Sequence, residues 1–410
     1  MSDDILLARA FLNRVAEPAC VPLWKLVRDV GPVEAVRMIR AERVVDEVAQ
    51  ATAGRRLTAD PEADLEAAAR HGLRLVVPES DEWPHFAMSA LEQAALERLH
   101  EWEHGQKTQS PSGEPIPPLA LWVTGPADLA SLGVRSVGIV GARSATRYGE
   151  QVAMDLAHGL TRRGFAVVSG GAYGIDAAAH RGALAAGGTT VLISAGGLDS
   201  PYPPSHAGLY ERAAATGLVV SESPPGSTPQ RRRFLTRNRL IATLATGTVV
   251  VEASLRSGAS NTAGHCRRIQ RPLMAVPGPV TSPVSAGCHA LINADVQPAR
   301  LITGVADVLA LIGSSSDVPI GDPAHEVSAD DLRARLDLLD DVSRSVFDGF
   351  RAGRAVSCDE LAVSSGVSTL DVIRSLPALQ LAGLVEGDDG RFRIARAVPR
   401  GSRRAGVGSK

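Results

Sequence analysis

One stretch, Ser136 to His180, runs through the same plan twice, and that repetition leaves few folds open. An apolar run, Ser136-Val-Gly-Ile-Val140, leads into Gly141-Ala-Arg-Ser-Ala-Thr-Arg-Tyr-Gly149 and then a helical stretch to Arg163. A second run, Phe165-Ala-Val-Val168, leads into Ser169-Gly-Gly-Ala-Tyr-Gly174 and the Ala-rich Ile175-Asp-Ala-Ala-Ala-His180. Short strand, small-residue loop, helix is the βαβ pattern of a parallel sheet. In such a sheet the loops after the strands gather at the carboxyl edge, where ligands bind. Two glycine-rich loops feeding helix N-termini would set free N–H groups and positive dipole ends around one cleft. The pattern predicts an anion site, with phosphate as its occupant.

The alternation extends in both directions. Gly72–Val77, Leu119–Thr124, Thr189–Ser194, Leu218–Ser221, Thr248–Val251 and Leu273–Val276 are further apolar runs without strict alternation, as expected of strands buried on both faces. The expected α/β core therefore spans residues 59–312 and starts near residue 60, not at Ser136. Glu97 to Pro118, charged and then Ser/Gly/Pro-rich, reads as a surface excursion. Residues 1–58 carry short helical patterns broken at Pro18, Pro22 and Gly31-Pro32, and read as a small all-helical module. Residues 313–329 suit a linker. Within 330–396, three helical patterns and a hairpin around Gly387-Asp-Asp-Gly390 predict a winged helix-turn-helix. Residues 397–410, rich in Arg, Gly and Ser, are expected to be disordered.

Composition limits the partners. Over 410 residues the formal net charge is only −2, so any surface for a polyanion must be local. Cys20, Cys266, Cys288 and Cys358 are dispersed, which argues against a disulfide framework or a zinc site and for a reducing, cytoplasmic setting. The opening Met1-Ser-Asp-Asp-Ile5 lacks the order of a signal peptide, and no apolar run nears the ~20 residues of a membrane span. No membrane association is expected.

The loop Gly141–Gly149 matches neither common phosphate fingerprint. It lacks the Gly-Lys-Ser/Thr of a P-loop, and Arg143 stands at the second glycine of a dinucleotide loop. It offers two cations, Arg143 and Arg147, and two hydroxyls, Ser144 and Thr146. Arginine grips phosphate with paired N–H bonds. An ordinary βα turn with solvated arginines is the competing reading. In the second loop, Ser169, Gly170, Gly171 and Gly174 would let a ligand approach the backbone. Asp176 and His180, at i, i+4, are either an acid/base pair or a hydrogen bond bracing the turn. No third ligand suggests a metal, and no cofactor is expected. The densest cationic feature is Arg231-Arg232-Arg233-Phe234-Leu-Thr-Arg237-Asn238-Arg239. Cations interleaved with an aromatic make up a single-strand groove, although Phe234 could equally anchor its loop in the core. Glu252 and Ser257-Gly258 would complete the rim, where Glu252 could pair with an arginine.

Five blocks occur in one order: Gly141-Ala-Arg143; Ser169-Gly-x-Ala-x-Gly-Ile-Asp176-x-x-x-His180; Phe234-x-x-Arg237-Asn-Arg-Leu-Ile241; Val251-Glu-Ala253 with Ser257-Gly258; and Ala275-Val-Pro-Gly278. Together they resemble the DNA-processing protein A family. The resemblance implies an extended Rossmann-like, doubly wound and mostly parallel core that binds single-stranded DNA, forms a homodimer and helps load the RecA recombinase in natural transformation. It also implies a SAM- or HhH-like N-terminal module and a C-terminal winged helix. By motif alignment it places Arg143, Ser169, Phe234, Arg237 and Asn238 in the binding surface. Two departures stand out. Gly287-Cys-His-Ala-Leu-Ile292 differs from the family block, and the third C-terminal helix contains Pro377 with Arg374 as its lone cation. The rival expectation is a nucleotide-cleaving phosphoribohydrolase of the lysine-decarboxylase-like Rossmann family. Its Pro-Gly-Gly-x-Gly-Thr-x-x-Glu pattern is degraded here, with His265 in place of the carboxylate.

Overall fold

The apolar runs become the strands of one nine-stranded sheet in the computed structural model, which describes residues 2–105, 113–313, 339–350, 355–381, 383–388 and 390–395. The chain divides into two units, Met1–Pro319 and Ile320–Lys410. In the first, the strands are β1 (Arg74–Val76), β2 (Leu121–Thr124), β3 (Ser136–Val140), β4 (Ala166–Ser169), β5 (Thr190–Ser194), β6 (Leu218–Ser221), β7 (Gly247–Val250), β8 (Leu273–Ala275) and β9 (Arg300–Leu301). Their spatial order is β1-β2-β6-β5-β4-β3-β7-β8-β9. Pairing from β3 to β9 is parallel, while β2 runs antiparallel to both β6 and β1. The mostly parallel α/β expectation holds, with an antiparallel edge.

Successive side chains of a strand face opposite ways, and helices cover both faces. Val137, Ile139, Val167 and Val249 pack beneath α8 (Arg147–Thr161), α9 (Ile175–Ala185) and α14 (Val305–Ile312). Val140, Val168, Ile193 and Val250 pack beneath α6 (His85–Glu103), α11 (Arg231–Leu244) and α12 (Gly258–Arg268). Burying one such Val or Ile is worth about 1.5–3 kcal/mol, which fixes the register.

Three local expectations change. Pro22 does not break the N-terminal module. It lies in the first turn of α2 (Val21–Val30), where its missing N–H costs no helical bond. Glu97–Glu103 is the last part of α6 and not a surface loop, because Leu91, Ala94, Ala95 and Leu99 keep one face buried. The arginine run is also helical, the opening turns of α11. Helices α1 (Asp3–Val15), α2, α3 (Pro32–Arg40) and α4 (Asp46–Thr52) share a core of Phe11, Leu12, Leu23 and Ile39. They are tied to the sheet. Asn13 accepts from the Trp122 indole at 2.8 Å and donates to the Glu222 carbonyl, while Arg9 forks onto Glu79.

The described residues of the second unit form three helices, α15 (Asp341–Asp348), α16 (Cys358–Ser365) and α17 (Thr369–Leu381). Three antiparallel strands, β10 (Val356–Ser357), β11 (Val385–Asp388) and β12 (Arg391–Ile394), pair in the order β10-β12-β11. Ser357 and Glu360 form a capping box, and Gly366 closes α16 in the left-handed region. Helix α17 continues through Pro377, and Val372, Leu376 and Leu379 hold it in the core. The expected linker beyond Gly313 and the expected tail at 397–410 lie outside the described residues. No helix among the described residues is long and apolar enough to cross a membrane.

Candidate nucleic-acid interface

Strand order reverses at β3: β4, β5 and β6 lie to one side of it, and β7 to the other. The loops after β3 and β7 consequently part, and a crevice opens at the carboxyl edge between them. The crevice is a cleft of about 730 Å³ whose walls include Arg143, Ser144, Asp176, Tyr202, Arg231, Phe234, Arg237, Asn238, Arg256 and Ser257. Segments distant in sequence are thereby brought together.

Helix α8 begins at Thr146, whose hydroxyl accepts from the Gly149 N–H. That start is already occupied by an internal anion. The Glu252 carboxylate, 2% exposed, accepts from the Thr146 N–H at 2.9 Å and from the Thr146 hydroxyl at 2.6 Å. Glu252 braces the loop and does not pair with an arginine, contrary to the sequence reading. Its carboxylate compensates the positive helix end. Gly149 leaves room for it, since a Cβ there would run into the Glu252 side chain. Arg143, Ser144 and Arg147 are exposed.

The second loop is more enclosed than its glycines suggest. Ser169 is fully buried and donates to the Ile139 carbonyl at 2.6 Å, tying β4 to β3. Gly170 makes room for the Arg237 guanidinium, and a Cβ on Gly171 would press on Leu192. Gly174, at φ +73°, lets the second loop meet the Ala142 and Arg143 carbonyls of the first. These glycines serve packing between loops. Asp176 and His180 form no pair. Asp176 accepts a long bond from the Ala172 N–H, 3.4 Å. Burial pushes its carboxyl above the usual carboxylate range, against the opposing pull of Arg237. The Thr190 hydroxyl donates to the Val167 carbonyl, so the His180 Nδ1–H must donate to Thr190, 2.7 Å away. His180 Nε2 is left without a partner, and burial holds the imidazole neutral, its pKa lowered to about 3.

The helix sorts the arginine run. Arg231 and Arg232 are exposed. Arg233 forks onto Glu17, at 2.7 and 2.9 Å, and donates to the Thr228 carbonyl. Arg237, 6% exposed, donates to the Gly170 carbonyl at 2.6 Å and to that of Ile193. Arg239 is fully buried, forked onto Glu222 at 2.7 Å and bonded to the Ile116 carbonyl. Asn238 bridges to Asn261 and the Gly258 carbonyl, linking α11 to the start of α12. The half-buried Phe234 ring has Arg143 at 5.1 Å and Arg237 at 5.9 Å from its centroid. Of the expected cations, Arg143 and Arg231 are exposed in the cleft wall, Arg147 and Arg232 are exposed outside its lining, Arg237 is buried in the wall, and Arg233 and Arg239 are paired with Glu17 and Glu222.

Sequence reasoning missed Tyr202 and Arg256, both in the cleft wall, and placed Glu252 on a rim whose lining instead holds Asp176, the acid/base candidate of the second loop. The signal for Tyr202 was available in Pro201-Tyr-Pro-Pro204, a stiff turn carrying an aromatic directly after a strand and its Gly-Gly loop. Among the described residues no cluster of three His, Cys, Asp or Glu side chains could hold a metal ion.

Fold and site together define an α/β protein with a cationic, partly aromatic cleft at a topological switch point. Residues 106–313 match the model of the DNA recombination-mediator protein A family. The chain is 47% identical over 399 residues to a DNA processing protein DprA of Mycobacterium tuberculosis, covering 97% of this chain and 96% of that one. It is 37% identical over 192 residues to the DNA processing protein DprA of Bacillus subtilis, 47% of this chain and 63% of the relative. The X-ray structure of DNA processing protein A from Streptococcus pneumoniae superposes with a TM-score of 0.58 at 26% identity, over 75% of this chain and 98% of that one. The chain belongs to the DNA recombination-mediator protein A family.

Proposed function

We propose that this DNA-processing protein binds single-stranded DNA without base specificity in the switch-point cleft and catalyses no reaction there. The observation that carries this reading is the set of exposed arginines, Arg143, Arg231 and Arg256, in the wall of a cleft that also holds Tyr202 and Phe234. Guanidinium groups suit a repeating phosphodiester, and rings stack with any base, so the combination is indifferent to sequence. Family membership supports the wider role: a cytoplasmic homodimer that protects incoming DNA and loads RecA in transformation and recombination. The described helices and antiparallel sheet of the second unit fit a winged helix.

The test is fluorescence anisotropy with single- and double-stranded oligonucleotides over a salt series. Single strands of any composition should bind more tightly than duplex, with log K falling linearly in log salt. Arg143→Ala should weaken all sequences alike and lower the slope by about 0.7. A slope unchanged in both Arg143→Ala and Arg231→Ala would sink the proposed phosphate contacts.

A further inference from the structure

We infer that Tyr202 is the residue on which a DNA base stacks, and that Phe234 positions it. The inference rests on reading the cleft as a single-strand site. Two guanidinium groups already lie within 6 Å of the Phe234 centroid, those of Arg143 and Arg237. A cation over a ring takes up the electron-rich face that a base would use. Phe234 is also half-buried, whereas Tyr202 is 46% exposed and lines the same cleft, its ring 5.5 Å from that of Phe234 and tilted by 54°. That spacing and tilt suit an attractive aromatic pair, so Phe234 supports one side of Tyr202 and leaves the rest open.

The backbone holds Tyr202 in place before any ligand arrives. Pro201, Pro203 and Pro204 restrict the turn around it. The Tyr210 hydroxyl donates to the Tyr202 carbonyl at 3.0 Å. The short 3-10 turn Pro204–His206 follows, and His206 Nδ1–H donates to the Gly171 carbonyl at 2.9 Å, pinning the turn to the second glycine loop. A half-exposed ring on so constrained a segment loses little freedom on binding, as suits a recognition aromatic. The cations on the Phe234 side would meet the phosphates flanking the stacked base.

The experiment uses the full-length protein and an oligodeoxythymidine carrying one 2-aminopurine, whose fluorescence is quenched when it stacks on an aromatic ring, with anisotropy read in parallel. Tyr202→Ala and Tyr202→Leu should each lose about ten-fold in affinity, keep the wild-type salt slope and lose the quenching. Tyr202→Phe should restore all three. The leucine variant keeps apolar bulk without a ring, so its loss cannot be assigned to an emptied site. If Tyr202→Ala and Tyr202→Leu bind and quench as the wild type does, or if quenching is lost only in Phe234→Leu, the assignment to Tyr202 fails and the cleft reading stands. Absence of single-strand binding by the wild type would sink both.

Discussion

Arg231 and Arg239 lie in one helix and share a side chain, yet they meet opposite environments. Arg239 is fully buried on Glu222, so deleting it strands a carboxylate in the core. Breaking such a pair from one side costs about 3–5 kcal/mol. Arg239→Ala should therefore shift the urea midpoint well down, while the folded fraction binds single-stranded DNA with an unaltered salt slope. Arg231→Ala should do the reverse: the urea midpoint stays and the slope falls. Equal urea midpoints for the two variants would contradict this division of the arginine run. His180 makes a pH prediction with a definite sign. Its folded pKa is lowered from 6.5 to about 3, so between those values the unfolded chain binds the extra proton. Stability from this residue is complete above pH 6.5 and drains away as pH falls toward 3. Glu17, held down to about 2 first by Arg233, adds a loss that begins only as pH falls below 4.5. The Glu17 side chain is 44% exposed, so solvent mutes that share. His180→Gln should flatten the urea midpoint between pH 6.5 and 5, ahead of the Glu17 window; an unchanged slope there would contradict the neutral, buried imidazole.

At the scale of elements, the strands were legible because an apolar run flanked by glycine loops has few other fates, and the parallel direction followed from the helices between them. The helices over Glu97–Glu103 and Arg231–Leu244 were not legible. Both are so charged that the buried face of each shows only once the sheet is there to cover it. The start of the loop Gly141–Gly149 does line the cleft, but the loop was misread in its parts. Its glycines and those of Ser169–Gly174 looked like space for a ligand, and the structure fills that space with Glu252, Arg237 and the other loop. Which partner occupies a glycine's free side depends on a segment far away in sequence, and no local pattern reports it. The element that follows from this is the brace at the start of α8. Glu252→Ala would remove the acceptor of the Thr146 N–H and hydroxyl, bonds to a charged group worth about 1.5–3 kcal/mol each at most where water cannot replace them. Amide exchange across residues 143–149 should speed up and the melting temperature should fall. Gly149→Ala should act in the same direction, because its methyl group displaces the same carboxylate. Wild-type exchange in both variants would mean that Glu252 does not hold the loop.

At the scale of the molecule, charge is distributed unevenly. The formal net charge is −2, while exposed arginines gather at one sheet edge. The described residues of the second unit carry eight carboxylates against four arginines, and Arg374 on α17 has Asp371 3.7 Å away. The proposed phosphate contacts therefore rest on the arginines at that edge. Whether the cleft also cuts what it binds depends on its carboxyl groups. Cleavage of a nucleotide's glycosidic bond passes through an oxocarbenium-like state that needs an ionised carboxylate within reach of the sugar. Glu252 is spent on Thr146. Thr262 and His265, where the hydrolase pattern needs Thr and Glu, are 1% and 0% exposed. The carboxyl in the wall is Asp176, 7% exposed, and burial raises its pKa against the opposing pull of Arg237, which disfavours the ionised form such a state requires. We therefore expect no free adenine from adenosine monophosphate in a chromatographic assay at high protein concentration and neutral pH. Adenine release that disappears in Asp176→Asn, while single-strand binding persists, would make the cleft an active site and overturn the non-enzymatic reading.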